Sequence, residues 1–167
     1  MAKIKAKHLA KAVRKAANLS IQQQEAVVDE IHSGQPHLLS SILLQKQLGN
    51  SLEQVDVLLQ ILIVTWLAIK LSGRRLHLVS DDELDKHQQR YIGHVNFMDG
   101  LPPIESSRAL QGYVDDHPEN LLLAYVHDEI MTAGFHLIPE EHAKYLTLTA
   151  INLVNCVAAN LSKKKTR

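Results

Sequence analysis

Ten of the 167 residues are histidine. Histidine is the commonest protein metal ligand and the usual proton donor or acceptor near neutral pH. The densest arrangement is Glu83, His87, Tyr91 and His94. Glu83 and His87, four apart, lie about 5–6 Å from each other on a helix face and could share one ion. His87 and His94, seven apart, sit roughly 10 Å from each other along a helix axis. Zinc–nitrogen bonds are only about 2 Å long, so a second helix must complete any metal shell. The same residues also fit a plainer role beside a packing seam of Leu84, Tyr91, Val95 and Met98.

That second helix could be the one carrying His127-Asp128. The dipeptide resembles the centre of the metal-dependent HD phosphohydrolases, an all-helical family in which an earlier histidine and a later aspartate complete the shell. His94 stands 33 residues before His127, but no aspartate follows Asp128, and past Glu129 the remaining acids are Glu140 and Glu141. The resemblance therefore covers an incomplete motif. It implies a divalent metal and a phosphoester hydrolase; with the first cluster added, the candidate ligands are Glu83, His87, His94, His127 and Asp128. The alternative is a polar outer face opposite Leu122, Val126, Ile130 and Ala133. Other chemistry lacks its residues. No Glu-x-x-His pair of a di-iron bundle occurs, nor a Gly-rich phosphate loop or a Gly-x-Ser-x-Gly elbow. Cys156, the one cysteine, lies in an apolar segment and reads as an inert core thiol. No cofactor other than such a metal is expected.

Charge suggests a different partner. The formal net charge is zero, yet residues 1–24 hold six bases and no acid, and the last five residues hold four bases. The intervening span holds 8 basic and 18 acidic groups. Lys3, Lys7, Lys11, Arg14, Lys163, Lys164 and Lys165 could touch a polyanion, nucleic acid included. No aromatic lies in either basic segment, so such contact would be non-specific. A single cysteine excludes an internal disulfide, no secretory segment is visible, and a cytoplasmic location is expected.

The elements that must position these groups are helices. Ser20 with Gln23, and Ser51 with Gln54, form capping-box pairs. Ser80 before Asp81, Asp82 and Glu83 is a third start, with acids at the positive end of the helix dipole. Gly34 is placed to end a helix in the left-handed conformation. In the first helix Ala6, Leu9, Ala10, Val13 and Ala17 form the apolar stripe. The most apolar run, 57–69, includes Gln60 and is short of the roughly 20 residues a bilayer needs, so it predicts a buried helix. Residues 74–79 read as a connector, and the two prolines within 98–103 mark a hinge. The last helix has a seam of Ala143, Leu146, Ala150, Leu153, Val157 and Leu161, suited to a neighbouring helix or another chain.

The expectation is an all-α, single-domain bundle over 1–167, with about seven or eight helices around a central helix 52–72. Residues 1–19 form a peripheral basic helix and 162–167 a basic tail. The leading functional reading is a non-catalytic interaction or oligomerisation module acting through apolar helix faces, its partner a second copy or another protein. The metal-dependent hydrolase and the loose polyanion binder are the alternatives.

Overall fold

The structure, a computed structural model, describes residues 3–163. Among them are eight α-helices and no strand: α1 (Ala6–Ala17), α2 (Ile21–Gly34), α3 (Pro36–Gln47), α4 (Leu52–Leu71), α5 (Asp81–Asp99), α6 (Pro103–Asp116), α7 (Asn120–Thr132) and α8 (Lys144–Asn160). The all-α reading holds. Three helices begin where short-range chemistry says they should. Ser20, Ser51 and Ser80 each accept from the backbone N–H three residues on, and Gln23, Gln54 and Glu83 each return a bond to the cap.

The centre of the molecule is α4. Its length and apolar composition would suffice to cross a membrane, but Val55, Leu58, 61–65 and 67–69 are buried in this fold. It packs against α1, α2, α3, α7 and α8. The apolar seam of α8 is also spent internally: Ala143, Leu146, Ala150, Leu153, Val157 and Leu161 are all buried. Neither face remains free for another chain.

Two expectations about the first helix are corrected. It is not peripheral, because α1 lies along α4 more extensively than any other helix pair meets. Its inward stripe is Ile4, Ala12 and Ala16, flanked by half-buried Leu9 and Leu19. Ala6, Ala10 and Ala17 are exposed, and Val13 is 38% exposed. Alanines occur on both faces, so periodicity alone does not choose between them. Burying the small Ala12 and Ala16 against α4, where Ala68 is also fully buried, lets two backbones approach closely.

Gly34 is also corrected. It is the last residue of α2 and is not left-handed, whereas Gly49, Gly73 and Gly134 are. A Cβ at Gly34 would lie 3.1 Å from Cη2 of Trp66, so its role is to admit that ring. The connector 74–79 has a partner the local sequence does not show. Leu76 bridges Leu161, the His77 N–H donates to the Asn160 carbonyl, and the Ser162 N–H donates to the Arg75 carbonyl. Buried Gln35 ties the same segment down, donating to the His77 carbonyl and accepting from the Val79 N–H. The break expected at 98–103 falls between α5 and α6. No residue of α6 is buried.

Candidate ligand-binding cleft

On α5 the residues His87, Arg90, Tyr91 and His94 recur at helical spacing and share one face. That face meets Tyr113 of α6, the His117-Pro118 turn, and Asn155, Ala158 and Ala159 near the end of α8. Together they enclose a cleft of about 350 Å³.

Its polar floor is a short relay whose proton positions follow from geometry. His117 is buried, and its Nδ1 accepts the Glu119 N–H at 3.0 Å. An accepting Nδ1 carries no hydrogen, so the ring is the Nε2–H tautomer. Nε2 therefore donates to Asn155 Oδ1, 2.8 Å away. The Tyr113 hydroxyl donates to the same oxygen at 3.1 Å. With Oδ1 receiving both bonds, the Asn155 amide is oriented, and its Nδ2 makes no hydrogen bond among the described residues. Glu119 extends the relay to the start of the chain, its carboxylate accepting the Ile4 N–H at 2.8 Å.

The walls are aromatic. Tyr113 has the ring of His94 at 4.6 Å, that of His117 at 5.8 Å and that of Tyr91 at 5.9 Å. His94 Nε2 is buried without a hydrogen-bond partner among the described residues. Burial pushes the Tyr91 hydroxyl up to about 12 and also raises Tyr113, so both phenols stay protonated at neutral pH. Burial, then the nearby Arg90, holds His87 below its ordinary value and favours its neutral form. Among the described residues Arg90 is the permanent charge in the lining, and no carboxylate lines the cleft. Such an arrangement supplies hydrogen-bond donors, one guanidinium and π faces. It holds no activated nucleophile. Cys156 is fully buried outside the lining, and burial pushes its thiol up to about 12.

The five expected metal ligands do not assemble. Glu83 closes the capping box of α5, and the Ser80 backbone N–H is the main reason its carboxyl sits below the ordinary range. His87 and His94 line the cleft, whereas His127 and Asp128 are exposed on α7 and outside it. Among the described residues no three His, Cys, Asp or Glu side chains gather to hold a metal ion. The physical reason is the rotation of α7: its Leu122, Leu123, Val126 and Ile130 face the core, which turns 127 and 128 outward. Of the residues expected to meet a polyanion, Lys3, Lys7, Lys11, Arg14 and Lys163 are exposed. Lys164 and Lys165 lie outside the described residues.

Arg90, Tyr113, His117 and Asn155 escaped the sequence reading. Arg90 had a legible signal, lying three residues from His87 and four from His94 on one helical face. Asn155 had a weaker one, a polar residue in a strongly apolar helix. Nothing local links Tyr113 or His117 to either. Comparison with known proteins finds no matching family model, curated protein or solved structure, so the cleft's own chemistry is what remains to be read.

Proposed function

We propose that this chain is a non-catalytic helical binding module that holds a small anionic ligand in the α5–α6–α8 cleft. One observation carries the reading. Residues 25–162 hold 18 acids against 8 bases, yet the lining collects Arg90, two histidines of α5, two tyrosines and Asn155 with no acid among them. Within a span so rich in acids a carboxylate-free, donor-rich concavity favours an acceptor ligand, and low-dielectric walls strengthen its attraction. The oriented amide of Asn155 costs a ligand no reorganisation.

Calorimetric titration of the full chain with acetate, inorganic phosphate and sulfate tests this. Saturable heat is expected for at least one anion, with Arg90→Gln weakening it about tenfold or more, since a charged hydrogen bond contributes about 1.5–3 kcal/mol. Arg90 is exposed, so the variant should fold. Binding that is unchanged in Arg90→Gln, or no saturable binding by any anion or by the aromatic acids named below, overturns the reading.

A second reading, association of two copies, draws on α3, on Leu48 just after it and on Leu52, which starts α4 outside that helix's buried stretch. Leu43, Leu44, Leu48 and Leu52 are 50%, 48%, 41% and 67% exposed. Between residues 36 and 52 Lys46 is the one permanently charged residue. Two such surfaces could meet about a two-fold axis with little like-charge repulsion.

A further inference from the structure

We infer that the ligand of the α5–α6–α8 cleft is an aromatic monocarboxylate, held by its carboxylate on Arg90 and the Asn155 amide and by its ring against Tyr91, Tyr113 and His94. This rests on the anion-binding reading above and narrows it by three properties of the lining.

The first is charge. Among the described residues Arg90 is the only Arg or Lys that lines the cleft. His117 presents Nε2–H in a bond already committed to Asn155, and burial together with Arg90 keeps His87 toward its neutral form. One fixed positive charge matches one negative charge. A phosphate dianion placed there would leave a charge unpaired at a partly dry site, which is costly. A guanidinium fork also fits a planar carboxylate through two parallel hydrogen bonds.

The second is the wall. Tyr113 is surrounded by the rings of Tyr91, His94 and His117, each with its centroid within 6 Å of Tyr113's own and tilted to it by 32–59°. Offset and tilted rings are the arrangement into which a further aromatic ring packs favourably. Ala158 and Ala159 also line the cleft, and their small side chains take little of its space. Pro118 adds a further apolar surface.

The third is size. A cleft of about 350 Å³ is at the small end of ligand pockets, which span roughly 300–1,000 Å³. It suits a molecule of one or two rings.

The test is calorimetric titration of the full chain with benzoate, phenylacetate and indole-3-acetate, beside benzamide, acetate and inorganic phosphate. The aromatic carboxylates should bind at least tenfold more tightly than acetate, which lacks the ring, and than benzamide, which lacks the charge. Ring-current shifts should appear on the Tyr113 and His94 resonances. Asn155→Asp should abolish binding by like-charge repulsion, and Arg90→Gln should weaken it at least tenfold should Asn155→Asp fold poorly. Phosphate or acetate binding as tightly as the aromatic acids, with loss in Arg90→Gln, would overturn the aromatic class and leave anion binding standing. No saturable binding by any anion would overturn both. Benzamide binding as well as benzoate would overturn the carboxylate.

Discussion

Asn155 is where fold and site can be separated experimentally. Its Oδ1 is the acceptor for both the His117 Nε2–H and the Tyr113 hydroxyl. Asn155→Ala leaves a buried imidazole N–H without a partner, a loss of about 1–3 kcal/mol, and removes a part-buried phenol bond of about 0.5–1.5 kcal/mol. Tyr113 is half-buried and can turn to water, so the combined cost is about 1.5–4 kcal/mol. For a chain of this size that lowers the melting temperature by roughly 5–15 °C. Asn155→Asp keeps an oxygen in the same place, accepts both donors and shares the cleft with the Arg90 guanidinium. It should melt within about 1 kcal/mol of the parent. Thermal denaturation followed by circular dichroism reads both variants, and nitrogen-resolved NMR of His117 should show the Nε2–H tautomer in the parent and in Asn155→Asp. If Asn155→Asp melts as low as Asn155→Ala, acceptance at Oδ1 is not what holds α6 and the 117–119 turn to α8. An Asn155→Ala protein that melts with the parent would refute the relay as a source of stability.

Two further predictions concern faces. Ala12→Leu should cost about 1–3 kcal/mol by overpacking, because Ala12 is fully buried, whereas Ala10→Leu on the exposed side should stay within about 0.5 kcal/mol; equal losses in urea denaturation would mean that α1 does not bury the face described. If two copies pair through the leucines of α3 and after it, light scattering should show a concentration-dependent dimer that Leu44→Glu converts to monomer, and a monomeric parent at high concentration would sink that second reading.

The limits of the sequence reading are physical and specific. The expected seam of α8 is buried, and of the apolar residues expected inward on α4 Val55, Leu58, Leu62, Ile63 and Ile69 are buried while Leu59 and Trp66 are partly so, because a helix apolar over most of its surface has few alternatives. In α1 the choice between Ala10 and Ala12 is invisible locally, since both are alanine and the charged residues surround either stripe. Gly34 read as a left-handed terminus because that is glycine's commonest use after a helix; the ring it accommodates belongs to Trp66, on another helix. His127-Asp128 carried a chemical suggestion that adjacent residue types cannot test, since whether they face His94 depends on the rotation of α7 about its axis. His87 and His94 read as a pair from their spacing, and in the fold they share a cleft with an arginine, two tyrosines, His117 and an amide; the one acid acting on His87 is Glu83 of its own helix, which the capping box already holds.

What the residues decided by themselves was every feature settled within a turn or two: the three serine caps, the break at the paired prolines, the central place of α4 and the all-α class. Those depend on bonds between residues three or four apart and on the total apolar surface of a segment, both present in the chain before it folds. Tertiary packing alone decided the cleft. Its lining is drawn from positions 87 to 159 on three helices and a turn, and the oxygen that orders it, on Asn155, lies 38 residues from His117 and 42 from Tyr113. Convergence over such distances is set by how each helix rotates to bury its apolar side, and that rotation exists only once the other helices are in place.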